Sequence, residues 1–130
     1  MATLKTIATA GPINYHDGLA YAPPAKRVFV SDEHGGVDAV IDAVTNKLVA
    51  NIPLGGDAGN PVYDNGSGHI LVAVHGVNEL VSIDSAAMKI IGRYRLPAIE
   101  NPTVLRSMRR INWLLLPGRR TILWRCSTQR

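Results

Sequence analysis

Cys126 is the only cysteine in 130 residues, so no intrachain disulfide can form and the thiol count points to no particular redox compartment. No apolar run approaches the roughly 18 residues that a membrane-spanning helix needs. The first ten residues carry one Lys and a short, mildly apolar stretch, which is not the pattern of a secretory leader. No segment sustains a 3.6-residue apolar period, so helix is expected to be nearly absent from residues 13–97. Catalytic signatures are missing too. Ser31, Ser82 and Ser85 fall in strands or turns without a nucleophile motif, and Gly35-Gly36 and Gly55-Gly56 lead into no helical pattern, which excludes a phosphate-binding loop. These residues do not support an enzyme.

Acidic residues are absent after Glu100. Residues 1–102 carry seven Lys or Arg against ten Asp or Glu, whereas residues 103–130 carry seven Arg, no Lys and no acid. The formal net charge of +4 is therefore a slightly acidic chain joined to a basic tail. As a hint of nucleic-acid or membrane binding it disappears on this division. Both Trp residues and Cys126 lie in the same tail, so two compositions meet near Pro102.

What the chain does have is an internal repeat. The stretch from Ala20 to Pro61 recurs one period later, between Val62 and Pro102. Aligned without a gap, Tyr21 falls on Tyr63, Val28-Phe29-Val30 on Ile70-Leu71-Val72, Ile41-Asp42 on Ile83-Asp84, Lys47-Leu48-Val49 on Lys89-Ile90-Ile91, and Leu54 on Leu96. Asn60-Pro61 answers Asn101-Pro102 with a one-residue slip. A period of about 40 to 45 residues, each holding several short β-branched runs between Gly, Pro and Asn turns, is the pattern of a four-stranded propeller blade. The fold class is all-β: two four-stranded antiparallel blades plus partial edges, an incomplete β-propeller over residues 1–102. A closed ring takes about 4 to 8 blades, so this chain is expected to be incomplete as a folding unit.

In the first unit the expected strands are Gly18 to Ala22, Arg27 to Asp32, Val37 to Asp42 and Lys47 to Leu54. In the second they are Val62 to Asp64, His69 to Val74, Asn78 to Asp84 and Met88 to Pro97. Leu4 to Ala10 matches the end of a unit and reads as the outer strand of a preceding blade. One position breaks the match, because Asp38 stands where the second unit has Leu80. A charge at a packing position is costly unless paired or turned outward, and a local β-bulge is expected there.

The run Phe-Val-Ser, Val-Ile-Asp, Thr-Asn-Lys-Leu-Val-Ala and Ile-Pro-Leu-Gly, at Phe29 to Gly55, resembles the YVTN-type repeat of bacterial β-propellers related to the haem-d nitrite reductase propeller. The resemblance covers about residues 4–102. It implies a propeller, and a family whose members are mostly secreted or periplasmic and often without assigned activity.

The repeat ends at Pro102, and an abrupt, Arg-rich, acid-free continuation suggests translation out of frame. Read one base earlier, the permissible codons of the tail yield Phe-Val-Ala and then Val-Leu-Asp. The Asp comes eleven residues after that Ala, the spacing of Ser31 and Asp42 in the first unit. Residues 103–130 are therefore expected to be a poorly structured, out-of-frame basic tail. The alternative is a native basic hairpin, Ile111 to Leu116 and Thr121 to Arg125 around Pro117-Gly118, lying on an anionic surface.

In a blade the loops entering the first strand and those joining the second strand to the third open on one face. His16-Asp17 and Asn60 fall in the first kind of loop, Asp32-Glu33-His34 and His75-Gly76-Val77-Asn78 in the second, and Glu100-Asn101 again in the first. His16, Glu33, His34 and His75 are expected at one end of the blades. They are the candidate metal ligands, in a complete ring only, because imidazole and carboxylate suit transition metals although their spacing matches no compact metal motif. The competing reading is turn polars that cap strand ends and face water. Asp42 and Asp84 recur in each unit and are expected to bond their own turns, not to act as paired catalytic carboxylates.

The residues thus point to a binding or scaffold module without catalysis of its own and without a cofactor. Its partners would be the missing blades, or other copies through open blade edges, with neither nucleic acid nor membrane expected. The other reading is part of a metal- or haem-linked redox propeller with its polar site on the channel face.

Overall fold

The computed structural model describes residues 15–96, together with strands at 102–108, 111–117 and 122–124. The expected outer strand at residues 4 to 10 and the loop at Glu100-Asn101 lie outside the described residues. Among the described residues there is no helix, and so none long and apolar enough to cross a membrane.

Two four-stranded antiparallel meanders carry the fold. The first is β1 (His16–Ala22), β2 (Arg27–Asp32), β3 (Val37–Asp42) and β4 (Lys47–Pro53); the second is β5 (Ala58–Asp64), β6 (His69–Val74), β7 (Glu79–Asp84) and β8 (Lys89–Arg95). The strand starts keep one constant offset: Ala58 answers His16, His69 answers Arg27, Glu79 answers Val37 and Lys89 answers Lys47. The turns repeat as well. All six four-residue hairpin loops end on a left-handed residue: Lys26, Gly36, Asn46, Gly68, Asn78 and Met88. A left-handed residue closing the loop turns the chain back in step with the right-handed strand twist.

The sheets pack face to face, with β1 running beside β5. Cross-strand partners share a face, which puts Ala20, Phe29, Val40 and Ala50 on one side of the first sheet. That side meets Ile70, Val72, Val81 and Ile83 of the second in one buried cluster. Phe29 is the largest side chain sealed there. Two guanidiniums tie the sheets together across the seam. Arg27 donates to the backbone carbonyls of Ser85 and Ala86, and Arg93 donates to the Leu54 carbonyl at 2.8 Å and to Glu79 at 3.2 Å.

Two expectations need correction. Asp38 does not sit in a bulge. The β2–β3 register runs unbroken through Ser31 opposite Asp38, and the irregularity in β3–β4 lies at Val40/Ile41. The second sheet has the same irregularity at Ser82/Ile83. It belongs to the repeat, leaving Val49 and Ile91 without a cross-strand partner in both blades, and is no accommodation of Asp38. Secondly, His16 and Asn60 are in strands, because β1 and β5 start earlier than expected, each with its own register shift, at His16/Gly18 and Ala58/Pro61.

Beyond the two repeats, three strands form an antiparallel sheet. They are β9 (Pro102–Met108), β10 (Ile111–Pro117) and β11 (Ile122–Trp124), in the order β11-β10-β9. β9 lies against β5 and β6. The start of β10 at Ile111 follows the start of β6 at His69 by the same offset that separates His69 from Arg27. Strand spacing outlasts the side-chain pattern. A β-strand requires only a short apolar run bounded by turn residues, and Ile111–Pro117 supplies one.

Candidate functional site

The polar loops meet at one end of the blades, and the backbone places them. The Glu33 N–H donates to the Tyr15 carbonyl at 2.8 Å, the Ala58 N–H to the Glu33 carbonyl at 3.2 Å, and the His75 N–H to the Asp57 carbonyl at 2.8 Å. The β2–β3 turn of the first blade is thereby tied to the entry of β5, and that entry to the β6–β7 turn. Gly56 has no room for a side chain, since a Cβ there would come 2.6 Å from the His75 carbonyl oxygen.

Side chains follow from this frame. Glu33 Oε1 lies 4.0 Å from His75 Nδ1, an ion pair only when the imidazole is protonated, and both groups are largely buried. His75 Nε2 is buried with no hydrogen-bond partner, as are both ring nitrogens of His16. The His34 ring stacks on Tyr15, with centroids 5.5 Å apart and planes tilted by 30°. Asp32 Oδ1 accepts from the N–H groups of Tyr15, at 3.2 Å, and Gly35, at 3.0 Å.

The four residues singled out in the sequence thus share one end of the sheets, but only Glu33 and His75 approach as a pair. His34 stacks on Tyr15 instead. Among the described residues no group of three or more His, Cys, Asp or Glu side chains could hold a metal ion.

Asp42, Asp64 and Asp84 bond their own turns. Asp42 Oδ1 accepts from Thr45 N–H at 2.8 Å and Val44 N–H at 2.9 Å, and Asp84 Oδ1 from Ala87 N–H at 2.7 Å and Ala86 N–H at 2.8 Å. Those donors hold both carboxyls below the ordinary Asp range. Asp64 does the same with Gly66 and Ser67.

Sequence reasoning missed one polar pair. Asp38 is fully buried, takes a 2.6 Å hydrogen bond from Ser31 Oγ, and keeps its other oxygen unpartnered. Burial pushes its carboxyl up to about 6, against the opposing pull of the Ser31 hydroxyl. The available signal was the joint exchange of Ser31 for Ala73 and Asp38 for Leu80 between units, two changes that face each other across one pair of strands.

No protein-family model matches the chain, and no curated protein matches it. Solved structures do. Hydrazine synthase of Kuenenia stuttgartiensis superposes with a TM-score of 0.68 at 14% identity, over 81% of this chain and 31% of that one. Glutaminyl cyclase of Myxococcus xanthus gives 0.60 at 14% identity, over 84% and 46%. Regucalcin, a calcium-binding protein of Agrobacterium tumefaciens, gives 0.57 at 18% identity, over 79% and 38%. The chain spans less than half the length of each. These neighbours are β-propeller proteins, and at such identities the likeness is one of fold alone. With its two four-stranded sheets in strict repeat, the chain has the fold of an incomplete β-propeller.

Proposed function

We propose that this chain is part of a YVTN-type β-propeller and serves as a binding or scaffold module without catalysis of its own. Blades of this kind bury their faces only against neighbours, so its immediate partners are further blades, supplied by another chain or another copy. The observation that carries the reading is the distribution of polar groups. The carboxylates that recur in each unit, Asp42 and Asp84, are consumed by their own turns. Of the groups left with spare hydrogen-bonding capacity, Asp38 and Arg27 lie within the sheets, while His16 and His75 sit at the loop end where a propeller presents its channel face.

A Zn2+ titration followed by imidazole NMR resonances tests it, with His16→Ala and His75→Ala used for assignment. On this reading the titration leaves no stoichiometric metal on the chain. Saturable one-to-one binding that disappears in Glu33→Gln and His75→Ala would replace it with a metal-linked propeller.

A further inference from the structure

Resting on the reading of an incomplete propeller, we infer that two copies of this chain close one ring, the third sheet of each copy seated on the first sheet of the other. The contact is head to tail, of the same kind as the seams within the chain. Ala20, Phe29 and Val40 on one side of the first sheet cover Ile70, Val72 and Ile83 of the second. β9 lies against β5 and β6 as β5 lies against β1 and β2, so the third sheet continues the stack in the same sense.

The stack has an open end at the first sheet. Leu19 pairs with Val30, Tyr21 with Val28, and Val28 with Ile41, which puts these side chains on the side away from Phe29. Leu19 is 69% exposed and Tyr21 47%, with Val28, Val30 and Ile41 partly exposed. One repeat on, Pro61, Ile70, Val72 and Ile83 are buried, because the opposite face of the preceding blade covers them. The repeat thus says which surface belongs on the open face, and it is not another face of the same kind. In a second copy the sheet able to supply the Phe29-type side is the third, which among the described residues has a neighbouring sheet on one side only.

Blade number and charge both favour two copies. A closed ring takes about 4 to 8 blades; the three sheets of one chain fall short of it, and two copies at three sheets each fall within it. Head-to-tail contacts use two different patches and end only when a ring closes. Residues 16–53 carry five acids against three Lys or Arg, whereas residues 102–124 carry five Arg and no acid. Head to tail, the basic sheet of one copy meets the acidic sheet of the other, while a contact between two first sheets would bring acid to acid. Arg119 and Arg120 fall between β10 and β11, the connection that answers the β2–β3 turn with its Glu33. Ring closure brings them beside that turn of the other copy, as the β6–β7 turn already brings His75 beside Glu33 within the chain.

Light scattering after size exclusion, run on the full chain over a range of concentrations, gives the test. The expected species is a dimer. Leu19→Asp with Tyr21→Asp spoils the open face of the first sheet, and Arg119→Glu with Arg120→Glu reverses the charge at the third. Each pair of substitutions alone raises the dissociation constant at least about tenfold. Mixing the two variants restores a heterodimer, because one intact first sheet then meets one intact third sheet. A folded monomer at every concentration, growth beyond two copies, a dimer indifferent to both pairs of substitutions, or a mixture that associates no better than either variant alone would each overturn the proposal. Each of those results would leave the propeller reading standing, because the sheet signal in circular dichroism reports that separately and shows that each variant is folded.

Discussion

Ser31 and Asp38 face each other across β2 and β3, the hydroxyl donating to the carboxylate at 2.6 Å. In the second blade the same two positions are Ala73 and Leu80. The pair is polar in the first blade where the second has two apolar side chains, and the second carboxylate oxygen of Asp38 is buried without a partner. Exchanging Ser31→Ala and Asp38→Leu together installs the second blade's own solution. At pH 8 the double variant should be more stable than the parent by about 1–3 kcal/mol, because an under-satisfied buried charge is removed. Urea melts read this, and a less stable double variant would contradict it.

The sign of the pH dependence follows from the raised carboxyl. Asp38 titrates at about 6 in the fold and at its ordinary 3.8 when unfolded, so the folded state holds the proton more tightly. The stabilisation is fully present below 3.8 and is lost as pH rises through 6, by at most about 3 kcal/mol. Asp42 and Asp84 act in the opposite sense at lower pH. Their carboxyls are depressed, so their contribution is present above 3.8 and falls away below it. The unfolding midpoint should therefore decline between pH 4 and pH 7, and Asp38→Leu with Ser31→Ala should flatten that decline.

Lys26 closes the β1–β2 turn at φ +53°, where the second blade has Gly68. A side chain in that region costs about 1–2 kcal/mol, which glycine avoids. Lys26 is exposed, so little packing is lost, and Lys26→Gly should raise stability by roughly 0.5–1 kcal/mol once the greater freedom of the unfolded chain is counted. Phe29→Ala should act oppositely, losing about 3–5 kcal/mol from the inter-blade seam. Denaturant midpoints for the two variants should fall on either side of the parent.

The repeat offset and the eight strands were legible because alternating β-branched runs and Gly, Asn and Pro turns survive in one dimension. The early starts of β1 and β5 were not. Gly18, Asn60 and Pro61 are weak strand formers, and only pairing with β2 and β6 extends the strands through them. The shared bulge at Val49 and Ile91 depends on how two strands twist together, which neither strand encodes alone. Counting loops placed His16, Glu33, His34 and His75 at one end. Their ring directions depend on neighbours distant in the chain, so the stacking of His34 on Tyr15 and the approach of His75 to Glu33 had no local signal.

The tail offers a separate check. A version with one base restored at Pro102, so that Phe-Val-Ala and Val-Leu-Asp follow at blade spacing, should have a higher urea midpoint than the chain as it stands. Equal midpoints would mean that the Arg-rich sequence supplies the third sheet as well as a blade sequence does.

Interchangeable blades with open faces should accept a further blade. Inserting an additional copy of residues 16–57 ahead of His16 places a Phe29-type face against the exposed Leu19 and Tyr21. Equilibrium unfolding in urea measures the outcome. One cooperative transition with a higher midpoint and a steeper slope is expected, as nearest-neighbour coupling between repeats requires. An unchanged midpoint, or a second transition belonging to the inserted unit alone, would contradict it.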